Sequence, residues 1–184
     1  MLVGELAEQL TAAGARLAAA GLVQASEGNL SARIDARRIL VTPSGGVTGR
    51  LRGADLVEVA LDGAPVPVRA SSEVHLHLEV YRRRPDVGAV VHAHPPRVLQ
   101  LARAGRLPEP RHLDADERLF GQVLEVAHFD EGSRSLAVAA AGALADAVAC
   151  VLRDHGAVTV GASVDQALRR MLVLERAAVR AEGA

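Results

Sequence analysis

A chain of 184 residues suits one domain and is tight for two. Its 49% hydrophobic content supports a real core, yet with two Phe, one Tyr and no Trp that core has to be Ala, Val and Leu. A net charge of −1 and arginines scattered along the chain argue against a nucleic-acid surface, and no apolar run approaches the ~18 residues needed to span a bilayer.

The N-terminal residues Met1-Leu2-Val3-Gly4-Glu5 lack the basic-then-apolar pattern of a signal peptide, so a cytoplasmic location is expected. Leu2, Leu6, Leu10, Ala13 and Leu17 recur at helical spacing and predict a helix over 2–20, closed by Gly21. Leu30, Ala32 and Ile34 alternate with Ser31 and Arg33, which reads as a half-buried strand. Ile39 to Val41 return as the second strand of a hairpin, and Thr42-Pro43-Ser44-Gly45-Gly46 is a loop. A further strand is expected over 56–61, closed by the turn pair Asp62-Gly63. Pro65 and Pro67 keep the next segment at an edge or out of the sheet.

Ser71-Ser72-Glu73 open a helix that Pro85 stops, with Glu73 and His77 four residues apart on one face. Residues 90–94 form an apolar strand that runs into Pro95 and Pro96, the first turn of a helix to about residue 104. Residues 105–117 are loop-like. A strand over 123–129, a helix over 135–147, and strands over 149–152 and 157–160 follow. Cys150 lies in the first of that strand pair and is expected to be small buried filler. Ser163-Val164-Asp165-Gln166 is a capping box for the last helix. Strands mixed with flanking helices predict a layered α/β or α+β domain around one sheet.

The chemistry concentrates at Val90-Val91-His92-Ala93-His94. Alternate strand residues share a face, so His92 and His94 point the same way. A third histidine, His155, ends another apolar run, and Glu73 starts a helix. Three imidazoles and a carboxylate suit a catalytic zinc or another divalent transition metal, with manganese and cobalt as alternatives. Glycine loops and helix starts supply the small donors and free N–H groups that an anion needs.

Five stretches in order carry a family resemblance: Gly28-Asn29-Leu30-Ser31-Ala32-Arg33, Val41-Thr42-Pro43-Ser44-Gly45, Ser71-Ser72-Glu73 with His77, Val90-Val91-His92-Ala93-His94, and Asp154-His155-Gly156. The chain resembles the class II aldolase/adducin family, in particular L-fuculose-phosphate aldolase-like proteins. The resemblance implies one three-layer α/β/α domain over 1–184, with a largely antiparallel central sheet flanked by helices. It also implies a homotetramer with active sites at subunit interfaces. Carried over by position, His92, His94 and His155 would be metal ligands and Glu73 the catalytic acid/base. Asn29, Ser44, Gly45, Ser71 and Ser72 would cradle a substrate phosphate, and His77 would support the Glu73 helix.

The expected function is a metal-dependent lyase, with aldol cleavage of a small phosphorylated ketose through a metal-stabilised enediolate as the leading reading. A decarboxylase of a keto or hydroxy acid is the alternative, followed by an epimerase or dehydratase and a non-catalytic adducin-like module. Two departures from the family pattern matter. The one tyrosine, Tyr81, lies on the Glu73 helix, where it cannot serve as the loop tyrosine that protonates the leaving aldehyde in such aldolases. The chain also ends without their longer C-terminal tail. The middle loop offers His112, Asp114 and Asp116 instead, and His112 is the candidate substitute acid.

Overall fold

The computed structural model describes residues 2–109 and 121–182. Helix α1 (Val3–Ala19) buries Leu6, Leu10, Ala13 and Leu17, the stripe its leucine spacing sets out. Strands β1 (Asn29–Arg33), β2 (Arg38–Val41) and β3 (Val57–Ala60) then form an antiparallel meander. Helix α2 (Val74–Arg83) leads into β4 (Ala89–Ala93), and α3 (Pro96–Arg103) follows behind the two prolines. Strand β5 (Leu124–Val126), helix α4 (Arg134–Ala143), the hairpin β6 (Ala149–Leu152) and β7 (Gly156–Gly161), and α5 (Val164–Glu182) complete the described chain.

The seven strands make one sheet in the order β3-β2-β1-β4-β7-β6-β5. Five of its six ladders are antiparallel, and only β5–β6 is parallel. Helices α1, α3 and α5 cover one face over Leu30, Ala32, Val91 and Val151. The other face, over Ile39, Val41, Val90 and Val158, lies under α2 and α4. The result is the three-layer arrangement that the family resemblance implies. A fully buried Val or Leu contributes ~1.5–3 kcal/mol, so a core of small residues reaches a usable total by number rather than size. Cys150 is completely buried among them. No helix among the described residues is long and apolar enough to cross a membrane.

Several boundaries differ from expectation, each for a local reason. Helix α2 starts at Val74 rather than Ser71, because residues 71–73 form a tight turn first: Ser71 carbonyl accepts the Val74 N–H at 3.0 Å. Helix α4 ends at Ala143, short of 147, and the Arg84 guanidinium donates to the carbonyls of Leu144, Ala145 and Ala147 beyond it. Strand β5 is confined to three residues, which match the extent of its pairing with Cys150–Leu152. The largest correction concerns β1. Its alternation is real, but the polar side is not solvated: Asn29 and Ser31 are buried under α2.

Candidate active site

Strand β4 lies between β1 and β7, so His92 enters the site from the middle of the sheet, fully buried. Its Nδ1–H donates to the Ala157 carbonyl at 3.0 Å, which fixes the ring and turns Nε2 inward. His94 projects on the same side, and its Nε2 lies 3.3 Å from His92 Nε2. Two nitrogens bound at ~2.0–2.1 Å to one tetrahedral ion would lie ~3.4 Å apart. The observed spacing matches that geometry.

His155 comes from the β6–β7 turn, where Asp154 adopts a left-handed φ of 58° that aspartate tolerates better than most residues. One nitrogen of each of the three rings lies within 4.8 Å of the others. The rings meet edge to face with centroids 4.8–5.4 Å apart. Gly156 makes this approach feasible, since a Cβ there would lie 2.6 Å from the Ala93 carbonyl oxygen and 2.7 Å from His92 Cε1. Gly28 does the same on the β1 side. Its φ is +66°, and a Cβ would press to 2.7 Å on the His92 carbonyl oxygen.

Glu73, the residue preceding α2, reaches over the cluster and is 7% exposed. Its Oε2 lies 3.0 Å from His92 Nε2 and accepts a hydrogen bond from Asn29 Nδ2 at 2.9 Å. Its Oε1 lies 3.5 Å from His155 Nε2 and has no hydrogen-bond partner among the described residues. Two acceptor atoms 3.0 Å apart need positive charge between them, either a proton on His92 or a cation in its place. Burial alone would raise the Glu73 pKa, but the charge on His92 and the hydrogen bonds from His92 and Asn29 outweigh it and hold the carboxyl ionised. Burial lowers His92, yet Glu73 raises it further. Burial and the charge on His92 pull His94 down to about 4 and also lower His155. Neutral imidazole is the form in which histidine binds metal, and His94 and His155 are held in it, whereas on His92 Nε2 a cation would take the place of the proton. In ligand type and spacing the triad fits a divalent cation.

Beside the cluster opens a cavity of about 240 Å³ lined by Asn29, Ser44, Gly45, Ser71, Ser72 and Glu73, with His94 and His155 on its wall. All five residues expected to hold a phosphate thus line one cavity, although they come from three separate stretches. Asn29 differs from the other four, because both ends of its amide are engaged: Nδ2 on Glu73 and Oδ1 on His77. Ser71 Oγ accepts the Glu73 N–H at 3.3 Å and so shapes the turn that aims the carboxylate. Neither Lys nor Arg occurs among the described residues lining the cavity.

His77 is fully buried and contacts Asn29 rather than the other histidines, in keeping with a supporting role. Arg33 does not line the cavity. It donates to the carbonyls of Tyr81, Arg84 and Val87, at and just beyond the C-terminal end of α2. Tyr81 is buried against Ser31, away from the cavity. His112, with Asp114 and Asp116, lies outside the described residues. Two carboxylates that the sequence reading passed over also approach the triad: Glu27 is 3.8 Å from His94 Nδ1, and Glu131 is 3.8 Å from His155 Nε2. Glu27 directly precedes Gly28-Asn29, a position that could have signalled it. Glu131 has no comparable mark.

The fold agrees with comparisons across known proteins. The family model for the class II aldolase and adducin N-terminal domain matches residues 8–180, and the chain belongs to that family. A methylthioribulose-1-phosphate dehydratase from Acidiphilium cryptum is 40% identical over 184 aligned residues, covering 92% of this chain and 86% of the relative. An L-fuculose phosphate aldolase from Methanocaldococcus jannaschii is 31% identical, covering 85% and 84% of the two chains. Among solved structures, the L-fuculose-1-phosphate aldolase of Thermus thermophilus superposes with a TM-score of 0.87 at 35% identity, covering 95% of this chain and 91% of that one. These relatives are lyases.

Proposed function

We propose that this chain is a metal-dependent lyase that eliminates water from a small phosphorylated ketose. The carrying observation is the position of Glu73, set between the histidine triad and the cavity, with no hydrogen-bond partner for Oε1 among the described residues. His92, His94 and His155 would hold a divalent ion, zinc by donor type, with manganese or cobalt as substitutes. A cation there supplies Lewis acidity to a carbonyl and its neighbouring hydroxyl.

Glu73 takes the proton from the carbon beside the carbonyl, and burial close to the triad shields that transfer from bulk water. The Ser44-Gly45 and Ser71-Ser72 loops pin the phosphate through hydroxyls and backbone N–H groups, fixing the other end of the substrate. With no guanidinium among the described residues of the cavity wall, small donors carry that task. What is lost first distinguishes the two reactions. Loss of a hydroxyl from the following carbon after this abstraction, with the proton leaving in the water, gives dehydration. In aldol cleavage no carbon-bound proton is taken first: the following carbon's hydroxyl gives up its proton, the carbon–carbon bond breaks to release the aldehyde, and Glu73 returns a proton to the carbon beside the carbonyl.

The 40% identity to a dehydratase, against 31% and 35% to aldolases, favours the elimination, which the sequence reading ranked below aldol cleavage and decarboxylation. Tyr81 points the same way: the only tyrosine in the chain is buried in a hydrogen bond with Ser31, so no tyrosine is free to protonate a leaving aldehyde. Aldol cleavage remains the second reading, on the strength of the Thermus thermophilus structure.

The test is zinc-loaded protein incubated with methylthioribulose 1-phosphate and followed by proton and phosphorus NMR. The expected result is a phosphorylated dicarbonyl product one water lighter than the substrate. Release of dihydroxyacetone phosphate and an aldehyde would replace this reading with the aldolase. Inertness toward this substrate, with carbon dioxide released from a keto acid, would replace both.

A further inference from the structure

Strand β1 and helix α2 meet along a polar seam that ends at Glu73 and whose His77, Ser31 and Tyr81 no step of the reaction uses directly. On the strand, Asn29, Ser31 and Arg33 share one face. Opposite them stand Glu73, His77 and Tyr81, four residues apart each time. Four residues of helix rise ~6 Å and two residues of strand ~6.6 Å, so the two rows stay nearly in step. Tyr81, Ser31, His77, Asn29 and Glu73 are all buried, and in that order each hydrogen-bonds to the next. Tyr81 Oη lies 2.9 Å from Ser31 Oγ, and Ser31 Oγ lies 2.6 Å from His77 Nδ1. His77 Nε2 lies 2.6 Å from Asn29 Oδ1, and Asn29 Nδ2 lies 2.9 Å from Glu73 Oε2.

The donor direction along this seam follows from its end. Whatever lies between Glu73 Oε2 and His92 Nε2, 3.0 Å apart, is a proton or a cation, so toward Asn29 this oxygen only accepts, and Asn29 must present its N–H₂ to it and its carbonyl oxygen to His77. That oxygen accepts, so His77 carries its proton on Nε2. A neutral imidazole then leaves Nδ1 as an acceptor, which takes the Ser31 O–H. Ser31 Oγ in turn accepts the Tyr81 O–H. Complete burial keeps His77 neutral by holding its pKa down to about 3.

We propose that Tyr81, Ser31, His77 and Asn29 are positioning residues: they form a one-way hydrogen-bond chain that ties Oε2 of Glu73 and reserves Oε1 for the substrate's proton. The consequence is a fixed Glu73 rotamer with its two oxygens made inequivalent. An Asn29 flip would set its carbonyl against the carboxylate, and the His77 tautomer is what forbids the flip. The catalytic half of this inference rests on the Glu73 role proposed above, whereas the direction of the chain does not.

Two measurements test it. In protein labelled with ¹⁵N-histidine and loaded with zinc, the side-chain nitrogens of His77 should report a neutral ring protonated on Nε2 between about pH 6 and pH 8. A ring protonated on Nδ1, or on both nitrogens, overturns the proposal whatever the protein catalyses. The second measurement compares His77→Gln with His77→Asn, at zinc content equal to wild type, on methylthioribulose 1-phosphate. Glutamine keeps a donor at the Nε2 position and should hold kcat within about tenfold, whereas asparagine cannot reach Asn29 and should lose about 10²-fold with little change in KM. Equal losses in the two variants would reduce His77 to a packing residue and overturn the positioning role. If wild type itself is inactive, the reaction assigned above fails, and the ¹⁵N result alone decides the chain.

Discussion

Asn29 and His92 face each other across the β1–β4 ladder and converge on one atom, Oε2 of Glu73, at 2.9 and 3.0 Å. The strand pairing itself therefore sets the carboxylate between a neutral amide donor and an imidazole that requires positive charge beside it. Glu73→Gln keeps the shape and removes the charge. Turnover is expected to fall by about 10²–10⁴-fold, the usual share of a general base, while zinc remains bound. Steady-state kinetics paired with metal analysis of the same preparation check this, and loss of zinc together with activity would instead make Glu73 a ligand.

Ligand removal should behave differently from base removal. A ligand that binds only the folded protein stabilises it by about 2.7 kcal/mol at a hundredfold excess over its Kd. Added zinc should raise the Tm of the metal-stripped wild type and leave that of His92→Ala unmoved. Equal zinc-dependent shifts in the two proteins would show that the ion binds elsewhere.

Gly156 packs against both members of the His92-His94 pair. A methyl group there would meet the Ala93 carbonyl oxygen at 2.6 Å, His92 Cε1 at 2.7 Å and His94 Cδ2 at 2.9 Å. Gly156→Ala should cost about 1–3 kcal/mol of stability through overpacking. At about 2–4 °C per kcal/mol for a chain of this size, the loss is visible in a thermal melt. Zinc affinity should fall as well, because the displaced atoms belong to two of the proposed ligands, and a wild-type zinc titration curve would count against this placement.

The buried His77 makes stability depend on pH with a definite sign. Its folded pKa is pushed down to about 3 by burial, against 6.5 for the free side chain. Below 6.5 the unfolded chain takes up a proton that the folded chain refuses, so this contribution is full above 6.5 and is lost on acidification toward 3. The slope from one such group approaches about 1.4 kcal/mol per pH unit. Urea unfolding at about pH 7.5, 6 and 5 should show a shallower acid loss for His77→Gln than for wild type. Parallel curves would mean that His77 is not held neutral.

Much of the site was legible in the sequence because its signals are local. The two-residue spacing of His92 and His94 guarantees a shared face on any strand, and the strands on either side of Asp154-His155-Gly156 put His155 at the turn between them. The family resemblance supplied Glu73 and the anion residues, all of which line one cavity. The seam was not legible. Ser31 and Arg33 alternate with apolar neighbours in the way a solvated strand face does, and nothing in that alternation tells that a helix lies over it. Arg33 illustrates the point: it reads as an exposed strand arginine, yet its guanidinium binds three carbonyls from residues 81–87.

The sequence by itself determined the periodicities, and with them the helices, the strands and the side each residue faces. It also set the charge balance and the supply of imidazoles. Only the tertiary structure decided which faces meet. Glu73 to Asn29 spans 44 residues and His92 to Ala157 spans 65, and such pairings depend on strand order and layer packing, which no window of sequence contains. Burial then does the chemical work: the same histidine that titrates near neutrality in a loop is held neutral under α2, and the same carboxylate beside His92 stays ionised.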